Sequence, residues 1–372
     1  MRKILKNESV QAFVASVICI LAGLLIGYIV LLFINPAGAG ESIVNVIKNF
    51  FTWSRPASQM KQLGNTLAKT MPLILCSLSI LFAYKVGLFN IGTAGQYVAG
   101  ACASLYAALA WGWGWLPCML LAVIAGGLLG AVTGFLKAYC NVNEVISGIM
   151  LNWIALYTSN TLLSNVKETA SPYTLYLDKT NPSSLLPTLG LDQFFNKNTN
   201  VTLAIPLTLI VAVIVWIILS KTKLGYELKA TGNNKSAAKY AGMAQNRNII
   251  MTLVISGALA GLGASLLYQT GYMRWECTQS SVPSMGFNGI AAAFLGGLRP
   301  LGAIFSSFFI QHITDGGQYV NTNFYSSQIS DVISSVIIYL CSFVLFFKTS
   351  LTKRLDIHEE KNARKAKGGK VS

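Results

Sequence analysis

Residues 12–34 form a run of 23 positions without a charged side chain. As an α-helix this run rises about 34 Å, enough to cross a bilayer hydrocarbon core about 30 Å thick. Only a segment that satisfies its own backbone hydrogen bonds can sit in hydrocarbon, so the run is expected to be a helix. Further apolar runs occupy about 66–84, 93–110, 116–136, 145–163, 201–219 and 249–268. Segments 287–298 and 301–313 are shorter than a full crossing, and 329–347 is long enough, with Asp331 near its start. The expected fold class is all-α: a polytopic membrane protein of about ten transmembrane helices. Composition agrees, because 11% charged residues cannot coat a soluble protein of 372 residues, where roughly 25% is usual.

A net charge of +15 would suggest a nucleic-acid ligand in a soluble chain, yet no basic patch here alternates with exposed aromatic residues. In a membrane protein basic residues mark the cytoplasmic side. Ten alternating crossings from a cytoplasmic N-terminus put 20 of the 28 Lys and Arg residues inside and 8 outside, while the 13 acids divide 6 to 7. The bias lies in the cations, as the rule requires, so both termini are expected in the cytoplasm of a plasma-membrane protein. The first run is too long for the 7–15 residue apolar stretch of a signal peptide and reads as an uncleaved span. The chain divides into residues 1–60, with the first helix and an outer loop, a core of 61–347, and a basic cytoplasmic tail of 348–372. The seven cysteines fall almost entirely within spans and form no Cys-x-x-Cys pair, so they read as packing residues.

Glycines recur at every fourth position: Gly23 and Gly27, then Gly126, Gly130 and Gly134, then Gly257 and Gly261. That spacing lets helices approach closely in lipid. Polar groups within spans are costly and mark function more sharply. The stretch 87–96 has three glycines with Asn90 and Gln96 and no charge, and a second Phe-Asn pair, Phe287-Asn288, opens the short eighth segment. The span before Asn90 and the span before Asn288 run in opposite senses, the pattern of broken helices in an inverted-repeat core around a central path. Asn152 either bonds across to a neighbouring helix or faces that path. Uncharged amides near Phe89, Trp153 and Phe287 suit a neutral ligand with hydrogen-bonding edges and an apolar face.

Two loops are long. Residues 164–200, on the outer side, either rest against an external partner or are a simple connection. The inner loop 220–248 carries six cations against one Glu, and within it Asn233-Asn234 and Gly242 bracket a short run of helix formers. A helix that short is marginal unless it packs on something, and the expected support is a cytoplasmic protein. Enzyme patterns are weak: Gly263-Ala264-Ser265-Leu266 with a distant His312 is an ordinary packing sequence, and Gly232-Asn233-Asn234-Lys235-Ser236 lacks the Gly-Lys pair of a phosphate loop.

Taken in order, Gly87-Leu88-Phe89-Asn90-Ile91-Gly92 with Gly95-Gln96, Asn143-Glu144-Val145-Ile146 with Leu151-Asn152, Ala230-Thr231-Gly232-Asn233 with Ala237-Ala238 and Ala241-Gly242, Ser256-Gly257-Ala258, and Gly286-Phe287-Asn288-Gly289 with Pro300-Leu301-Gly302 resemble the permease subunits of ATP-binding-cassette importers for simple sugars and nucleosides. The resemblance spans about 60–345, and Phe-Asn-Ile-Gly is similar to the nucleoside-uptake branch. It implies a transport subunit rather than an enzyme, with no cofactor of its own. The implied partners are a cytoplasmic ATPase that hydrolyses ATP, a second permease subunit, an external binding protein or lipoprotein, and the bilayer, with no nucleic acid. It implies a substrate path at Phe89, Asn90, Gln96, Asn152, Phe287 and Asn288, and an ATPase-coupling loop at Gly232, Asn233, Ala237, Ala238 and Gly242. Two positions depart from the family pattern: Ser236 stands where a glutamate is common, and Thr93-Ala94 replaces an expected acid before Gly95-Gln96. The competing reading is an ion-coupled secondary transporter of a small neutral solute, which calls for an ionisable side chain at the centre of a span. A membrane scaffold would need no polar path at all.

Overall fold

The computed structural model describes residues 8–321, 323–325 and isolated positions between 332 and 349. The expected tenth span lies mostly, and the basic tail almost wholly, outside the described residues. Twelve helices of six or more residues are described: α1 (Glu8–Ile34), α2 (Pro36–Lys48), α3 (Pro56–Lys85), α4 (Thr93–Leu109), α5 (Trp115–Ala138), α6 (Glu144–Leu163), α7 (Ala204–Lys221), α8 (Lys223–Asn233), α9 (Lys235–Tyr240), α10 (Gln245–Tyr268), α11 (Met285–Leu295) and α12 (Pro300–Gly316). Among the described residues, α1, α3, α5, α7 and α10 are long and apolar enough to cross a membrane. The protein is thus an all-α, polytopic membrane protein with at least five such helices.

Two differences from the sequence expectation concern the first 60 residues and α3. The expected outer loop is largely helical: Asn35 caps α2 by accepting a 3.0 Å bond from the Ala37 amide, and Pro36 supplies the fixed φ of a first helical turn. Helix α3 starts ten residues before the apolar run.

Helices α3 and α10 form the centre, with 89% and 72% of their spanning windows buried, against 22% for α1 and 28% for α7 at the rim. In lipid no hydrophobic drive joins helices, so the centre relies on close backbone approach. The glycine rows of α5 and α10 provide it. A Cβ on Gly126 would strike the Gly257 carbonyl, one on Gly130 the Leu253 carbonyl, and one on Gly261 the Ala122 carbonyl.

The loop 164–200 folds as a cap over the end of the bundle where α3 begins. The Thr174 amide donates to the Trp275 carbonyl at 2.9 Å, the Leu186 amide to Gln269 at 2.9 Å, and the Asn198 side chain to the Lys61 carbonyl at 2.8 Å. Trp275 is buried with its ring N–H on Asn160, and the Arg274 guanidinium lies 2.9 Å from Glu168 and 3.8 Å over the Tyr176 ring. At the same end, Lys69 of α3 pairs with Asp315 of α12 at 2.9 Å. Asp315 is thus held at the end of its helix.

Candidate functional site

Helix α3 ends in a left-handed turn. Gly87 takes φ 74°, its amide donates to the Tyr84 carbonyl, and the Leu88 amide reaches back to the Ala83 carbonyl, so the last carbonyls of the helix are satisfied. The chain then turns back into the bundle through residues 88–92 before α4 begins at Thr93.

The depth of this break can be read against α3. The Thr93 hydroxyl lies 3.3 Å from that of Ser79, which is six residues and about 9 Å from Lys85. Asn90, bonded to the same cluster, therefore lies inside the bundle and not at its mouth. The Asn90 side-chain N–H₂ donates to Gln96 Oε1 at 2.8 Å and to Ser256 Oγ at 2.7 Å, and its carbonyl accepts from Gln96 Nε2 at 3.3 Å. Ser256 of α10 donates in turn to the Ser79 carbonyl at 2.7 Å. Asn152 of α6 grips the break from the other side: its carbonyl accepts from the Gly95 amide at 2.7 Å and its N–H₂ donates to the Ile91 carbonyl at 3.1 Å. Of the two readings offered by the sequence, the structure gives Asn152 a bond across to the neighbouring segment.

Every polar side chain in this cluster is buried, Asn90 to 2% and Gln96 to 1% exposure. A buried amide without a partner costs about 1–3 kcal/mol, so the matched donors and acceptors fix the broken segment in place. No ionisable side chain takes part in these bonds.

The second Phe-Asn pair is carried to the same region. Helix α11 has 11 residues and spans only about 16 Å. Its start lies against α4, because a Cβ on Gly286 would come within 2.5 Å of Ala94 Cα. One turn on, a Cβ on Gly289 would come within 2.8 Å of Cys76 Cβ on α3. Cys76 stands about 14 Å from Lys85 along the α3 axis, so α11 is a short helix that begins inside the bundle and not at its end. Two helix N-termini, those of α4 and α11, meet here, each contributing the positive end of its dipole. Phe287 is 38% exposed, and Phe89 and Asn288 are half-buried. The six path residues named from the sequence thus share one region, the amides Asn90, Gln96 and Asn152 behind and the other three with free surface.

Sequence reasoning did not single out Ser79, and it met Ser256 only as part of a motif. A serine in an apolar span commonly bonds its own preceding turn, so neither carries a signal until the fold sets them side by side.

The basic loop folds as α8 and α9. Asn234, not Asn233, caps α9, its side chain accepting from the Ala237 amide at 3.0 Å. Gly242 ends the helix at φ 79° with the same turn as Gly87, the Met243 amide bonding the Ala238 carbonyl. Ala238 is the buried anchor, while Tyr240 is 94% exposed. Gly232, at the end of α8, packs directly on the broken segment: a Cβ there would strike the Val86 carbonyl, and one on Gly87 would meet the Gly232 carbonyl at 2.9 Å. Thr231 is tied to α10 by a 2.8 Å bond from Asn248.

The weak enzyme pattern has no geometry behind it. Ser265 donates to the Leu262 carbonyl of its own helix, and the His312 ring nitrogens are engaged by the Asn49 side chain and the Ile47 carbonyl. Among the described residues no three His, Cys, Asp or Glu side chains are grouped to hold a metal ion.

A family described as "Branched-chain amino acid transport system / permease component" matches residues 62–342. The chain is 33% identical to the nucleoside ABC transporter permease protein NupB of Lactococcus lactis, over 98% of this chain and 100% of that protein. It is 35% identical to the guanosine ABC transporter permease protein NupP of Bacillus subtilis, over 78% of this chain and 83% of that one. It is 27% identical to the glucose ABC transporter permease protein TsgB13 of Haloferax volcanii, over 91% and 89%. No solved structure matches the chain.

Proposed function

The chain belongs to the permease-component family of branched-chain amino acid transport systems, and from that premise we propose that it moves nucleosides inward across the cell membrane as one permease subunit of an ATP-driven importer. The observation that carries this reading is the uncharged junction where two broken helices meet. Phe89, Phe287 and Asn288 offer an aromatic and amide surface backed by Asn90, Gln96 and Asn152. A nucleoside has a flat apolar face and hydrogen-bonding edges and needs no counter-charge. The nucleoside and guanosine names of two relatives point the same way. Simple sugars are the alternative cargo for the same architecture. An ion-coupled carrier is disfavoured, since the cluster holds no carboxylate or ammonium group to bind the driving ion.

In this reading the chain makes about ten crossings in two inverted halves, one broken at Asn90 and the other at Asn288. The 164–200 cap faces outward, where a binding protein or lipoprotein delivers substrate, and α9 faces the cytoplasm, where the ATPase docks on Ala237, Tyr240 and Gly242. A second permease subunit completes the path. ATP is bound and hydrolysed by the partner. The resulting motion of α9 passes through α8 and the contact of Gly232 with Gly87 to the segment carrying Phe89 and Asn90, which alternately opens the path to either side.

Uptake of labelled nucleosides and of labelled pentoses by cells with and without this gene tests the reading. Loss of nucleoside uptake alone is the expected result. Loss of pentose uptake alone assigns sugars instead, and unchanged uptake of both overturns the assignment.

A further inference from the structure

Helix α10 ends at Tyr268 and α11 begins at Met285, and residues 269–284 between them are not helical. The two ends of this segment lie at different levels. Gly286 sits against Ala94, two residues from Gln96, and a Cβ on Gly257 would lie 3.3 Å from Gln96 Cδ. Gly257 is 11 residues from Tyr268, about 17 Å along α10. Segment 269–284 therefore returns by about that distance into the bundle. Its first part is held on both sides. The Trp275 carbonyl takes the Thr174 amide of the cap, and the Cys277 amide donates to the Pro172 carbonyl at 2.8 Å. Asn160 of α6 accepts from the Trp275 ring N–H at 2.9 Å and donates to the Gln279 carbonyl at 2.9 Å. Asn160 stands about 12 Å along α6 from Asn152, the residue that grips the break. The stretch Ser280-Ser281-Val282-Pro283-Ser284 crosses that interval, and all three serines are exposed.

Irregular backbone alongside membrane-crossing helices survives only where it is buried in protein or lines water. Exposed serines are not buried, so this stretch lines water. Ser284 has a helical φ of −65° and ψ of −17°, and its hydroxyl makes no cap bond to α11. Residues three apart on a helix share a face, which sets Ser284 beside Phe287, itself 38% exposed. Hydroxyl surface thus continues from the cap to the aromatic surface of the junction. We propose that residues 280–284 are the cap-side wall of the substrate path, and that Ser281 and Ser284 bind the vicinal hydroxyls of a pentose ring, the part common to nucleosides and simple sugars. A serine hydroxyl both donates and accepts, as those ring hydroxyls require, and Phe287 and Phe89 are left for a flat base. The subsite rests on the transport reading of the junction, whereas the water-lined wall does not.

The test uses the complete importer with Cys140 and Cys277 replaced by Ser. Ser281→Cys and Ser284→Cys meet a charged methanethiosulfonate in membranes opened so that both faces are reached. Leu128→Cys is the control: Leu128 is 62% exposed on α5, two residues from Gly126, which packs on Gly257. It therefore lies at the level of the junction on an apolar face. Both serine positions should react, and Leu128→Cys should not. Uptake rates are then compared for a nucleoside, its 2′,3′-dideoxy analogue and a free pentose. Ser281→Ala combined with Ser284→Ala should slow the nucleoside or the pentose by roughly two- to tenfold, as expected for lost neutral hydrogen bonds, and leave the dideoxy analogue unchanged. Which of the two slows identifies the source of the hydroxyls. Thiols as unreactive as Leu128→Cys would overturn the wall and show the segment covered by a partner subunit. Equal slowing of nucleoside and dideoxy analogue, or no slowing of nucleoside or pentose, would overturn the subsite. If the wild type imports neither nucleoside nor pentose, the transport reading falls and the subsite with it, while labelling, which needs no cargo, still decides the wall.

Discussion

Asn90 is a side chain whose two ends are both committed: its N–H₂ reaches Gln96 and Ser256 while its carbonyl accepts from Gln96. Asn90→Ala leaves Gln96 and Ser256 without those partners in a buried site. Each unsatisfied group costs about 1–3 kcal/mol, so the variant should unfold at a lower temperature and lose most uptake. Asn90→Asp is the sharper substitution. It keeps the shape but offers no N–H, so acceptor faces acceptor at Gln96 Oε1, and the loss should equal or exceed that of Ala. Uptake and unfolding midpoint like those of the wild type in Asn90→Asp would mean the amide donors do not hold the break. The stretch around Asn90 was legible in the sequence because three glycines and two amides in ten residues have no place in an uninterrupted apolar helix. Its partners were not, since Ser79 and Ser256 lie 177 residues apart and look like any small residue in a span.

At the level of elements, local chemistry and long-range contact divide in the same way. Helix α9 was readable because Asn234 and Gly242 are side-chain and backbone caps that act within their own turn. The depth of α11 was not, because its short length says only that it cannot cross. Its level is set by Gly286 on Ala94 and Gly289 on Cys76, contacts across the whole core. The first helical turn of α2, by contrast, carries the Asn-Pro start signal at residues 35–36, and its outer-loop assignment rested on hydropathy alone. Two variants test α8 and α9 as a linkage. Gly242→Val forces a branched side chain into a left-handed conformation at a cost of about 1–2 kcal/mol, enough to unwind a six-residue helix. Uptake should fall and co-purification of the ATPase should weaken. Gly232→Val leaves α9 intact but drives α8 off the Val86 carbonyl. It should keep the ATPase bound while uptake is lost. If Gly232→Val transports normally, the contact with Gly87 does not transmit the motion.

For the whole molecule, the charge count gives an expected orientation, and the fold says which parts of the chain lie at opposite ends of the bundle. With ten alternating crossings, the count would place 20 of 28 basic residues on one side. The fold uses α3 as a ruler. Asn198 of the cap is bonded to Lys61 near its start, and Gly232 of α8 rests on Gly87 just past its end. Lys61 and Lys85 are separated by about 36 Å of helix, more than the roughly 30 Å hydrocarbon core. The cap and α8–α9 therefore lie at opposite ends of α3, and in the proposed function it is α9 that faces the ATP of the cytoplasm. Phe194 on the cap and Tyr240 on α9 are 74% and 94% exposed, so cysteines placed there report the two faces directly. With Cys140 and the half-buried Cys277, the more accessible thiols among the described residues, replaced by Ser, a membrane-impermeant maleimide should label Phe194→Cys in intact cells. Tyr240→Cys should react only after the membrane is opened. Labelling of Tyr240→Cys from outside would invert the molecule and remove α9 as an ATPase dock. Labelling of both from one side would contradict the α3 ruler itself.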